Sequence, residues 1–180
     1  MKIWLLETDA NNYDCFVLSN EKDADIILDN FNGKKMADRW VPIEVELFEE
    51  KRRSDTPTFS GAPVFSRRAV DILNDLMQEK VEILTLKYIR ESYYAINVIN
   101  VLDCIDYETA QCIRFPTSNR VYGFTKYAFK PQLLKGEHIF KIVEYPKSEV
   151  FVSDEFRARI LNSDLVGFKF EEVWDSEKQV

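Results

Sequence analysis

The sequence predicts an α+β fold, a single domain over residues 1–180 with a mixed, mainly antiparallel sheet and a few short helices. Three observations carry that reading. The run Tyr93–Leu102 is aromatic and β-branched and stays apolar at both phases of a period of two, as a central strand covered on both faces requires. Val41, Ile43, Val45 and Leu47 alternate with Pro42, Glu44 and Glu46, the pattern of a strand with one wet, acidic face. Finally, two distant stretches share one strand-helix-strand plan. Val64-Phe65-Ser66 precedes a helical spacing through Ala69, Ile72, Leu73 and Leu76 and then Val81–Leu86. Val150–Ser153 precedes Phe156, Ile160, Leu161 and Leu165 and then Phe168–Trp174. The step from Ser66 to Val81 and from Ser153 to Phe168 is the same, fifteen residues.

Composition narrows the class further. With 180 residues, 46% of them apolar, and only 5 Gly and 6 Pro, the chain can bury a sizeable core and carries no sign of disorder. Only Ile3–Leu6 are apolar in a row before Glu7, too short for a signal core or a membrane span, so a cytoplasmic location is expected. The 3 cysteines, Cys15, Cys104 and Cys112, match no disulfide framework, which fits a reducing compartment. Net charge is −7, and residues 1–60 hold 13 acids against 8 bases. Such a chain repels nucleic acid and anionic membrane and suits a basic protein partner.

Taken in order, Ile3–Leu6 and Cys15–Leu18 read as strands joined by the Asp9–Asn12 turn into a hairpin. Asp23 is placed to cap a short helix through Ile26, Ile27 and Phe31 that stops near Gly33. The half-wet strand follows, and then Lys51–Ala62, a loop without periodicity. Ser66 and Ser153 each stand where a hydroxyl caps a helix. Asp154-Glu155 favour the positive end of the second helix. Arg67-Arg68 oppose the first, unless Arg67 pairs with Asp71 one turn on. Beyond the central strand, Asp106 caps a turn, Pro116–Asn119 turns into an aromatic strand from Val121 to Phe129, and His138–Val143 forms another strand before Pro146.

Catalytic constellations are scarce. His138 is the single imidazole, and neither Cys104 nor Cys112 sits in a nucleophile motif beside it. One histidine and three separated cysteines give no zinc spacing, and no glycine-rich phosphate loop is present, so no cofactor is expected. Asp103, Asp106 and Glu108 follow the central strand and are the one carboxylate group suited to a hard cation, against the plainer reading that Asp106 caps a turn. Asn97 and Asn100 interrupt the apolar strand and are read as structural, bonding backbone at a chain crossing. Two surfaces qualify for binding. One is the face of Glu44 and Glu46 continuing into Glu49 and Glu50; the other is Glu171 and Glu172 with Trp174, for which a core position is an equal reading.

The order Trp40-Val41-Pro42, Gly61–Ser66, Glu82-Ile83-Leu84, Tyr93-Tyr94-Ala95-Ile96-Asn97-Val98 with Leu102–Asp106, and Val150–Phe156 to Gly167–Phe170 resembles the immunity-protein family numbered eleven of bacterial polymorphic toxin systems. The resemblance runs from about residue 40 to the end. It implies an inhibitor that binds and neutralises a cognate secreted toxin domain, not an enzyme, and it carries no catalytic or contact residues to transfer. A small metal-dependent enzyme built on Asp103, Asp106 and Glu108, or a structural interaction module, are the competing expectations.

Overall fold

The computed structural model describes residues 1–178 and, within them, every side chain except those of Leu28 and Asp29. In chain order its elements are β1 (Lys2–Thr8), β2 (Cys15–Leu18), α1 (Ala24–Asn30), β3 (Ile43–Glu49), β4 (Val64–Ser66), α2 (Arg67–Met77), β5 (Val81–Lys87), β6 (Tyr93–Val98), β7 (Val101–Leu102), β8 (Gln111–Arg114), β9 (Val121–Lys126), β10 (Ile139–Ile142), β11 (Phe151–Ser153), α3 (Asp154–Leu161) and β12 (Phe168–Asp175). The class is α+β. The strands form more than the one expected sheet: a five-stranded sheet ordered β2-β3-β5-β6-β4, another ordered β12-β1-β11-β10-β7, and a two-stranded ribbon of β8 and β9. Each large sheet is mixed, with β3 parallel to β5 in one and β7 parallel to β10 in the other.

Both strand-helix-strand units are present, and both are split in the same way. In the first, β6 lies antiparallel between β4 and β5; in the second, β1 lies antiparallel between β11 and β12. The Ser66 hydroxyl accepts the Ala69 N–H at 3.2 Å and the Ser153 hydroxyl accepts the Phe156 N–H at 3.2 Å, so each helix begins on a serine cap. Arg67 binds Asp71 at 2.9 Å, which relieves its position at the positive end of α2. Asp23, by contrast, makes no side-chain cap on α1; Asn20 caps the short 3-10 turn ahead of it.

The amino-terminal hairpin does not form. With both its edges taken by β11 and β12, β1 has none left for β2, which joins the other sheet beside β3. Asp9 makes the transfer, its N–H donating to the Gly167 carbonyl at 2.9 Å.

Three apolar clusters hold these layers. Helices α2 and α3 share one, in which Leu73 and Phe156 meet Ile96, Val98 and Val152 from both sheets. Tyr93 and Ala95, on the opposite face of β6, pack with Phe16, Ile27 and Phe31. Phe140 and Phe151 on the other sheet pack with Phe129 and Trp174. The run Tyr93–Leu102 is therefore covered on both faces, but it is two strands in two sheets, not one strand. The chain crosses between the sheets at Asn100, whose amide donates to the Ile139 carbonyl at 3.0 Å and to Glu137 at 2.7 Å. Asn97 donates likewise to the Lys34 carbonyl at 2.8 Å.

Candidate functional site

Alternation along β3 builds the first of the two candidate surfaces. Ile43 and Val45 face the core, which turns Glu44, Glu46 and Phe48 outward. Glu49 pairs with Lys51 at 3.0 Å and Glu50 with Arg90 at 2.8 Å. Glu44 and Glu46 have no ion-pair partner among the described residues, although Lys87 stands opposite Glu44 in the β3–β5 register. Unpaired neighbouring carboxylates on one strand repel each other and leave a negative field at that surface.

Apolar groups stand beside these acids, and the sequence pattern singles out neither Phe48 nor Ile89 among them. Phe48 is 73% exposed and Ile89 in the β5–β6 turn 97%. Val41, which the alternation set with Ile43 and Val45 on the dry face, is 71% exposed instead, because the strand and its pairing begin only at Ile43. These are the most exposed large apolar side chains among the described residues. The Arg90–Glu50 pair brings the turn against the end of β3, and a groove of about 730 Å3 runs between Glu44, Glu46, Lys87 and Ile89. Phe48 was legible in principle, being in phase with Glu44 and Glu46. Ile89 lies in a turn, where no period assigns a face.

The second acidic candidate divides. Glu171 is exposed, but Glu172 is held between Lys178 at 2.7 Å and Lys2 at 2.6 Å, contacts that lower its carboxyl to about 2. Trp174 is 5% exposed and packs edge-on to Phe129 with ring centroids 5.7 Å apart. It is a core residue, so it is not available as an interface anchor.

The residues considered for chemistry are dispersed. Asp106 accepts the Glu108 N–H at 3.1 Å and the Thr109 hydroxyl at 3.0 Å, as a turn cap does, while Asp103 and Glu108 are exposed. No group of three or more His, Cys, Asp or Glu side chains converges on a metal position among the described residues. His138 is 2.9 Å from the Ser153 hydroxyl and 3.8 Å from Glu155. Cys104 lies in the aromatic core, where burial pushes its thiol up to about 12. Among the described residues, no helix is long and apolar enough to cross a membrane.

Against this geometry, the family described as Immunity protein family (Imm11) matches residues 18–175. The chain belongs to that family. The Imm11 match begins at Leu18, well before the Trp40 at which the resemblance was first legible, and so takes in α1 and β3. It leaves out β1, the strand that lies at the centre of the second split unit. No curated protein matches the chain. Membership assigns an immunity role, and with it a toxin partner in general terms.

Proposed function

We propose that this Imm11 protein acts in the cytoplasm of the producing cell, where it binds a cognate toxin domain through the outer face of β3 and blocks that toxin's active site. It does so as a stoichiometric inhibitor, without catalysis of its own. One observation carries the choice of surface: the two most exposed apolar side chains, Phe48 and Ile89, flank Glu44 and Glu46, which have no ion-pair partner among the described residues, Phe48 on the same outer face of β3 and Ile89 across the groove. Apolar anchors inside a charged rim are the usual anatomy of a binding surface, with the anchors supplying most of the energy and the rim the rate of encounter. The charge of that rim selects a basic partner.

The test is growth of cells expressing the carboxy-terminal toxin domain encoded beside this chain's gene, with and without the protein. Recovery of growth by the wild type is expected, along with weakened rescue when Glu44, Glu46, Glu49 and Glu50 are all replaced by Lys. Full rescue by the quadruple variant would discard the surface but not the role. A neighbouring domain that is harmless, or toxic regardless, would discard the role.

A further inference from the structure

The β8–β9 ribbon presents a second surface, of the opposite sign. From Thr109 to Gly136 the chain contains Arg114, Arg120, Lys126, Lys130 and Lys135 and no Asp or Glu, in a protein of net charge −7. None of these five makes an ion pair among the described residues. Elsewhere Lys2, Arg53, Arg67, Arg159 and Lys169 are each bound to a carboxylate. Arg114, Arg120 and Lys126 belong to the ribbon and its turn, which hold no acid, whereas Lys130 and Lys135 follow it in the chain.

Its side chains are also arranged for contact. The ribbon belongs to neither large sheet, and every residue of its turn, from Arg114 to Arg120, is exposed. Phe115 and Tyr122 pack on each other with centroids 4.5 Å apart yet remain 43% and 48% exposed. Arg120 lies over the Phe115 ring at 5.9 Å, and Arg114 over the Tyr107 ring at 5.9 Å. A guanidinium held against a ring loses little freedom on binding. Arg114 spends one N–H on the Asn119 carbonyl at 2.9 Å, which fixes it across the turn and leaves its remaining N–H groups for a carboxylate. Of the acidic groups near the ribbon's base, Glu144 accepts the Tyr107 hydroxyl and Asp106 holds Thr109, while Asp103 and Glu108 are exposed before the ribbon begins.

We infer that the β8–β9 ribbon is a docking surface for an acidic protein segment, with carboxylates on Arg114 and Arg120 and apolar groups on Phe115 and Tyr122. Nucleic acid shares the negative charge, but a long polyanion meets the whole field of an acidic protein, whereas a short segment meets only the ribbon. The inference is independent of the β3 surface, whose charge selects the opposite partner.

The test uses the full chain and a fluorescently labelled glutamate-rich peptide with a central leucine, read by anisotropy at about 25 mM salt and again near physiological salt. Binding that weakens with salt is expected. Combined Arg114→Glu and Arg120→Glu should lower affinity about tenfold or more, and Tyr122→Ser should also reduce it. Lys22→Glu with Lys35→Glu, equally charge-changing but off the ribbon, should shift it by less than about twofold. All these positions are exposed, and an unchanged circular dichroism spectrum verifies folding. Lack of peptide binding, an equal loss in both paired variants, or binding of a single-stranded oligonucleotide of the same charge in place of the peptide would each overturn the inference. Peptide competition by a second copy of the chain would reassign the surface to self-association.

Discussion

The hydroxyl of Ser66 donates to the Asp55 carboxylate at 2.7 Å while accepting the Ala69 N–H that opens α2. Asp55 is fully buried. Its other oxygen accepts the Val166 N–H at 3.1 Å, and its backbone N–H donates to the Val166 carbonyl at 2.9 Å. One residue from the loop without periodicity thus ties the first split unit to the segment between α3 and β12 in the second. Removing the carboxylate leaves the Ser66 hydroxyl, the Val166 N–H and one edge of Arg53 without their acceptor. Asp55→Ala is expected to lower the unfolding free energy by about 3 kcal/mol in urea denaturation. A loss under about 1 kcal/mol would show that the latch is dispensable.

The same latch is sensitive from its other side. Gly167 has φ of +93°, and a Cβ there would collide with the Ser54 hydroxyl and lie 3.1 Å from the Ser54 Cβ. Ser54 is fully buried, and turning its hydroxyl away would break the bond it accepts from the Thr56 N–H at 3.0 Å. Gly136 has a similar φ of +75° but nothing within 4 Å. Gly136→Ala should therefore cost only the backbone strain, about 1 kcal/mol, and Gly167→Ala at least about 2 kcal/mol more. Thermal midpoints of the two variants measured side by side decide this, and equal losses would refute it.

Lys141 supplies a pH signature. It is 1% exposed, its ammonium donates to the Phe31 carbonyl at 2.7 Å, and burial lowers it to about 8 from 10.5. Between those values the unfolded chain holds a proton that the folded chain has released, so this residue's contribution to stability rises with pH across the window. Cys104 acts in the opposite sense above its ordinary 9.0, since burial raises its folded value to about 12. The clean interval is pH 8 to 9, in which wild type should gain about 1 kcal/mol relative to Lys141→Met. A constant difference between the two proteins across that interval would show that Lys141 keeps its proton.

Local relationships were legible in the sequence, and distant ones were not. Ser66 and Ser153 were readable as caps because each contact spans three residues. The partners of β1 are β11 and β12 at the far end of the chain, and a period of two assigns faces without naming neighbours. For the same reason Tyr93–Leu102 read as one strand although it changes sheets, with Asn100 as the only local sign. Trp174 was ambiguous because the β1–β12 pairing runs Ile3 with Trp174 and Trp4 with Glu172, skipping Val173. That irregularity resets the alternation and pairs Trp174 with the buried Ile3. The loop holding Asp55 offered no period at all, because its burial rests on polar contacts.

Charge and apolar contact on the β3 surface should separate in binding kinetics. Glu44 and Glu46 are exposed and have no ion-pair partner among the described residues, so Glu44→Arg with Glu46→Arg should leave folding stability within about 0.5 kcal/mol of wild type. The pair should slow association with the cognate toxin domain and reverse the dependence of that rate on salt. Phe48 and Ile89, 73% and 97% exposed, contribute little to the core, so Phe48→Ala and Ile89→Ala should also fold normally. Their loss should act on the complex once formed, raising the dissociation rate about tenfold or more with little change in association. Stopped-flow association and surface-capture dissociation at two salt concentrations measure both. If all four substitutions leave both rates unchanged while the wild type still protects cells, the toxin docks elsewhere. If the apolar pair matters and the acidic pair does not, the surface stands but the basic character of the partner falls.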